Sequence, residues 1–292
     1  MSSAVLDKIA NDIDKAKAQS TLRDIVIQPC PALLTDLRTE FNRADPDPQV
    51  IARIAERDVA MAASLIRVAN SPLYQRSRAA ATVAEAVSVL GMNSTISILT
   101  GFLLRQSFPV KWDLLNHFWE NSTRRADAMG FIAKQMYGIK VDIAHSCGLF
   151  CHVGIPILLQ AVPGYEKTLQ QALASPEKPM LELENAAHRT DHAVVGAIVA
   201  KTWRLPPIVS IAVRMHHDLQ VLQANDFPVE LRTLVAMLGL ADHLVNRFEG
   251  SACSHEWELH GEQCLAQLHV GAVEVDHWQD ALQDQFAGIV GS

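Results

Sequence analysis

Apolar residues recur at three- and four-residue intervals along most of the chain, and no stretch alternates apolar with polar over any length. With 3.6 residues per helical turn, such positions share one face, so the spacing predicts helices throughout. The first apolar face runs through Val5, Ile9, Ile13 and Ala16, a short amphipathic helix over residues 4–19. Pro29-Cys30-Pro31 precedes Ala32-Leu33-Leu34 and Leu37, and proline just ahead of a periodic run signals a helix start. Asp45-Pro46-Asp47-Pro48 interrupts the pattern, and Val50, Ile51 and Ile54 begin the next helix. Asp58 is placed to cap a helix through Met61, Leu65, Ile66 and Val68, which Asn70-Ser71-Pro72 ends. A strongly apolar helix follows over 93–108, which Pro109 stops.

Beyond Pro109 the pattern predicts one long helix from Trp112 to Tyr137, stopped by Gly138, and a single helix over 142–160, stopped by Pro163-Gly164. Shorter helical pieces follow over 165–174 and 179–188. Thr190 or Asp191 caps a helix that His192 opens and that runs through Val194, Val195, Ile198 and Val199 to Trp203. Leu205-Pro206-Pro207 breaks the chain. A second helix then passes through Ile208, Ile211, Ala212 and Met215 to the doublet His216-His217. Two helices joined by a short proline turn form an antiparallel hairpin, which can bring His192 close to His216 and His217. Leu231 to Phe248 is a further helix, and residues 255–289 hold two more.

The fold class is therefore all-α. The division expected is an N-terminal helix over 1–20, a helical domain over 21–220, and C-terminal helices over 221–292 packed on it. The domain divides again into an N-terminal helical subdomain (21–109) and a helical bundle (110–220).

Composition narrows the function classes. Apolar residues are 49% of the 292 and aromatics only 6%, so a sizeable core must be built from Ala, Val, Ile and Leu. A net charge of −7 argues against binding a nucleic-acid backbone. Five cysteines, an odd number without repeated spacing, argue against a disulfide framework and for a cytoplasmic protein. The N-terminus has no apolar core of signal-peptide type, and no run of about 20 apolar residues predicts a membrane span.

Several clusters carry candidate chemistry. His145, Cys147, Cys151 and His152 lie within two helical turns, but side chains from one unbroken helix cannot surround an ion, so core cysteines are expected. Cys253, His255, His260, Cys264 and His269 match no zinc-finger spacing. Arg124-Arg125, beside Asn121, are candidate contacts for an anionic ligand. No glycine-rich phosphate loop and no G-x-S-x-G elbow occurs.

One resemblance organises these residues. Arg67-Val68-Ala69-Asn70-Ser71-Pro72-Leu73-Tyr74, the helix ending in Leu90-Gly91, and the order His192, Gly196, Trp203, Leu205-Pro206, His216-His217 together resemble the HDOD domain. That family is a helical relative of the HD-superfamily metal-dependent phosphohydrolases. The likeness covers about residues 22–220, thinning towards 248, and implies an HD-like helical bundle. HD enzymes hold one or two metal ions with a histidine, a His-Asp doublet, further histidines and a final aspartate. The doublet's acid bridges the ions and offsets their charge.

Measured against that pattern, Gly148-Leu149-Phe150-Cys151-His152-Val153-Gly154 is similar to the family's Gly-Leu-Leu-His-Asp-Ile-Gly, with Cys151-His152 in place of the doublet. Asn121 stands where the first histidine belongs, two residues after Trp119. His192, His216 or His217, and Asp242 persist. The resemblance thus implies a degenerate metal site at Asn121, Cys151, His152, His192, His216, His217 and Asp242. It implies no catalytic residues, no resident metal and no cofactor. The function expected is a non-catalytic signal-transduction module that binds protein partners or a small ligand, with a homodimer as one assembly. The alternatives are a residual metal-dependent phosphohydrolase on a nucleotide or phosphoester, and a nucleotide-sensing domain.

Overall fold

The computed structural model describes the chain apart from residues 1, 19–24, 26, 71–73, 75–78, 110–114, 116, 176, 252 and 290–292. Among the described residues there is no strand. The helices are α1 (Ser2–Ala18), α2 (Ala32–Phe41), α3 (Pro48–Ala55), α4 (Val59–Ala69), α5 (Val83–Ser107), α6 (Phe118–Gln135), α7 (Val141–Phe150) and α8 (Gly154–Ala161). They continue as α9 (Tyr165–Ala174), α10 (Met180–His188), α11 (His192–Thr202), α12 (Pro207–Met215), α13 (Val229–Phe248), α14 (His255–Leu268) and α15 (Ala272–Ala287). The chain forms two compact units. One comprises residues 1–28 and 110–280, the other 29–109 and 281–292.

In the unit holding α2 to α5, local chemistry sets the helix starts. Asp47 accepts from the Gln49 amide and Asp58 from the Met61 amide, both at 2.8 Å, satisfying amides that the first turn leaves free. Thr82 and Glu85 form a capping box at the start of α5. Gly91, at φ 76°, breaks α5 into the two helical pieces that the Leu90-Gly91 signal predicts. Asn70 ends α4 and ties the chain across a gap in sequence. Its side-chain amide donates to Ala80 O at 2.9 Å and its carbonyl accepts from Ala80 N at 2.7 Å. The neighbouring Ser71-Pro72-Leu73 lies outside the described residues.

The other unit is built on the tightly packed pair α6 and α7, the hairpin α11–α12, and α13, which touches all of α6, α7, α12 and α14. Trp203 is fully buried at the end of α11, edge-on to Phe150, and its indole N–H donates to Gln28 O at 3.0 Å. Helix α1 lies on α11 and α12, and Lys201 meets Asp14 at 2.6 Å.

Two sequence expectations need correction here. The long helix expected from Trp112 is described from Phe118 and ends at Gln135, not Tyr137; Trp112 itself is outside the described residues. The single helix expected over 142–160 is two, separated by a turn at residues 151–153. Close backbone approach accounts for the break. A Cβ at Gly154 would stand 2.1 Å from His192 O, so the turn is pressed directly onto the start of α11. Gly148 likewise lets α7 meet the backbone of α6, where a Cβ would lie 2.8 Å from Ala126 Cα. Val83–Ser107 and Val141–Ala161 are apolar and long enough by composition to cross a membrane, yet Gly91 and the 151–153 turn interrupt them.

Candidate functional site

Histidines from three segments meet in the unit that contains α6 to α14. His152 comes from the turn after α7, His192 from the first position of α11, and His216 and His217 from the end of α12. One ring nitrogen from each lies within 4.8 Å of the others. Among the described residues this is the one grouping of His, Cys, Asp and Glu side chains tight enough to hold an ion. The hairpin produces the proximity, since His192 Nε2 is 3.1 Å from His217 Nε2 across 25 residues of sequence. His152 stacks on His192, with ring centroids 5.1 Å apart.

Each ring has a fixed orientation. Asp191 caps α11 by accepting from the Val194 amide at 2.8 Å, which sets where the helix begins and so where His192 points. His192 is wholly buried, and its Nδ1 and backbone N–H both face Glu184 Oε2, at 2.8 and 3.2 Å. Glu184, on α10, is also wholly buried and accepts from the Tyr165 hydroxyl. Burial would raise the Glu184 carboxyl, but His192 and the Tyr165 donor outweigh it and hold the group below its ordinary value.

The doublet at the end of α12 is held from two sides. His216 Nδ1 is 2.7 Å from Val213 O, and its Nε2 is buried without a hydrogen-bond partner. Burial pushes this imidazole well below its ordinary pKa, and the neighbouring rings add to the shift. His217 Nδ1 is 2.7 Å from Glu256 Oε2, on α14. Burial alone would lower His217, and the Glu256 contact reverses that and raises it.

The remaining positions sit on one flank. His152 Nε2 is 3.4 Å from Asp242 Oδ2, and burial followed by the Arg125 charge lowers this imidazole to about 3. Asp242, on α13, accepts from Arg125 Nε. Burial would raise the Asp242 carboxyl, but Arg125 and His152 hold it well below the usual carboxylate range. Asn121 Oδ1 accepts from Arg124 Nη1 at 2.7 Å, so it faces an arginine. Arg124 also pairs with Glu249 and lies 4.8 Å over the Phe248 ring. The anions that Arg124 and Arg125 meet are thus side chains of the chain itself.

Cys151 is buried, donates to Gly148 O at 3.4 Å, and is pushed by burial to about 12, so it is a thiol. Cys147 is buried and its pKa is raised in the same way. Of the Cys/His run at 145–152, only His152 joins the cluster.

The sequence marks all four histidines but not the groups behind them. Glu184 stands eight residues before His192, on a separate helix, and Glu256 lies 39 residues beyond His217. Neither spacing carries a signal, because the contacts exist only once α10 and α14 pack.

The HDOD domain family model matches residues 27–219. A protein of uncharacterised function from Treponema pallidum is 24% identical over 222 residues, 75% of this chain, and the chain spans only 42% of that relative's length. A solved structure from Shewanella amazonensis, provisionally named a phosphohydrolase, is 18% identical with TM-score 0.71 and 96% of each chain covered. An HDOD domain protein of unknown function from Geobacter sulfurreducens is 18% identical with TM-score 0.67, covering 97% of this chain and 95% of its own. A Marinobacter aquaeolei structure, provisionally named a signal transduction protein, is 19% identical with TM-score 0.72, covering 99% of this chain and 65% of its own. At these identities the likeness concerns the fold.

Proposed function

Because the chain belongs to the HDOD domain family, we propose that it is a signal-transduction module that acts by binding and not by hydrolysing a phosphoester. One observation carries this reading. Asp242, the remaining acid of the HD pattern, is ion-paired with Arg125. Metal-dependent phosphoester hydrolysis of the two-ion kind needs carboxylates that bridge the ions and offset their charge. Here the doublet's acid is His152, the first histidine is Asn121, and Asp242 already faces a fixed cation. A guanidinium in that place also repels a second metal ion.

The donors present fit a single ion on imidazole nitrogens, and a carboxylate-bridged pair does not fit them. When bound, one such ion supplies a Lewis-acid centre or a structural clamp. The chain's own residues then orient it: Glu184 fixes the His192 ring, Glu256 the His217 ring, and Val213 O the His216 ring. A hydrolytic reading draws on the same four histidines, but it lacks the bridging acid.

The assay is direct. The full chain, supplied in turn with manganese, iron and zinc, is tested on phosphomonoester, phosphodiester and cyclic-dinucleotide substrates. No turnover above a metal-only blank is expected. Turnover that disappears in His192→Ala would overturn the reading.

A further inference from the structure

The tautomers of the cluster follow from its partners. A backbone carbonyl only accepts, so His216 Nδ1 carries its hydrogen towards Val213 O and Nε2 keeps a lone pair. Glu184 and Glu256, as carboxylates, accept from Nδ1 of His192 and His217, which leaves Nε2 of each as a lone pair too. Those two acceptors are 3.1 Å apart, a contact that repels unless a cation is shared between them. One proton can join His192 to His217. It leaves buried His216 Nε2 unpaired, which is costly.

A single divalent ion satisfies all of them. Four-coordinate zinc at its usual nitrogen distance separates its ligands by about 3.3 Å, close to the 3.1 Å of the His192–His217 pair. His152 supplies the fourth nitrogen within 4.8 Å of the rest. A carboxylate or carbonyl behind each ligating imidazole is the arrangement that orients metal-bound histidines. Glu184 and Glu256 also set two negative charges behind the rings, which a divalent ion offsets.

We propose that His152, His192, His216 and His217 bind one zinc-type divalent cation, and that its arrival is an input this module reads. The ion would lock the 151–153 turn to the start of α11 and the end of α12. The four donors are imidazoles, so the site prefers zinc, cobalt or nickel over magnesium and manganese, which favour oxygen ligands. Whether the ion binds is independent of the preceding reading. What it does there rests on that reading, namely signalling in place of hydrolysis.

The test uses the full chain, stripped with chelator, dialysed, and titrated calorimetrically with zinc, magnesium and manganese in turn. One zinc per chain is expected, with a thermal midpoint raised by several degrees at saturation and no comparable shift from magnesium or manganese. Cobalt loaded in place of zinc should show visible bands of a tetrahedral site without a thiolate charge-transfer band, since Cys151 stays outside the cluster. His217→Ala removes a ligand and should lower zinc affinity at least about tenfold. Glu256→Gln, a positioning change, should lower it about 10–100-fold. Each variant is compared with the wild type under chelator, so that loss of binding is read apart from loss of folding.

No zinc binding by the wild type would overturn the proposal, as would equal affinity for manganese or an unchanged affinity in a folded His217→Ala. Absent zinc binding leaves the non-hydrolytic reading intact. Zinc binding with phosphoester turnover sinks that reading, and the signalling role with it, while the metal site stands.

Discussion

At position 152 an imidazole stands where the HD pattern places a carboxylate, and the exchange does two things. On the proposed reading it removes the acid that would bridge paired ions, and it adds a nitrogen to the three that His192, His216 and His217 already gather. The exchange itself is legible in the sequence; the added donor is not, because only the packed structure shows His152 stacking on His192. The expectation of no resident metal is therefore replaced by the proposal of one ion. Behind the ring of His192, Tyr165 and Glu184 form a buried hydrogen-bonded chain. Tyr165→Phe would take one donor from a wholly buried carboxylate, and denaturant melts should show a loss of about 1–3 kcal/mol. A change within a few tenths would mean that water replaces the hydroxyl.

Among the elements, the hairpin α11–α12 was the most legible. An Asp191 cap, a Trp203 plug and a Pro206-Pro207 turn each carry a local signal, and together they fix where the histidines fall. The break between α7 and α8 was not legible, because the run over 142–160 is apolar on both sides of it. Its cause is tertiary: the backbone at Gly154 touches His192 O. Periodicity cannot report such a contact. Gly154→Ala would drive a Cβ into that carbonyl and displace both the turn and the histidine, and a loss of more than about 3 kcal/mol is expected in denaturant melts. Near-native stability would mean that the turn can back away from α11, and the cluster geometry would then be softer than described. Asp191→Ala, by contrast, removes only a cap and should cost about 1 kcal/mol.

For the whole molecule, the cluster ties stability to pH. Take the metal-free protein. His152 and His216 are neutral in the fold, with pKa values pushed down to about 3 and well below 6.5 respectively. Unfolded, both take up protons as pH falls through 6.5. The unfolded state then binds more protons than the native one, so stability rises with pH in this window and is lost as pH drops. Each group contributes up to about 1.4 kcal/mol per pH unit. His217 is raised, so below 6.5 it is charged in both states and adds no slope; its contribution fades only as pH rises through its folded value. Chelated protein should therefore melt at steadily lower temperature from pH 6.5 to 4.5. A flat profile would mean that the rings are solvated.

In the proposed site four imidazoles hold a single ion where the HD pattern holds an acid-bridged pair. Native mass spectrometry of the zinc-saturated full chain counts the ions directly. One zinc per chain, lost when His216 is replaced by alanine in a variant that still folds, is the predicted result. Two ions per chain, or none, would contradict it.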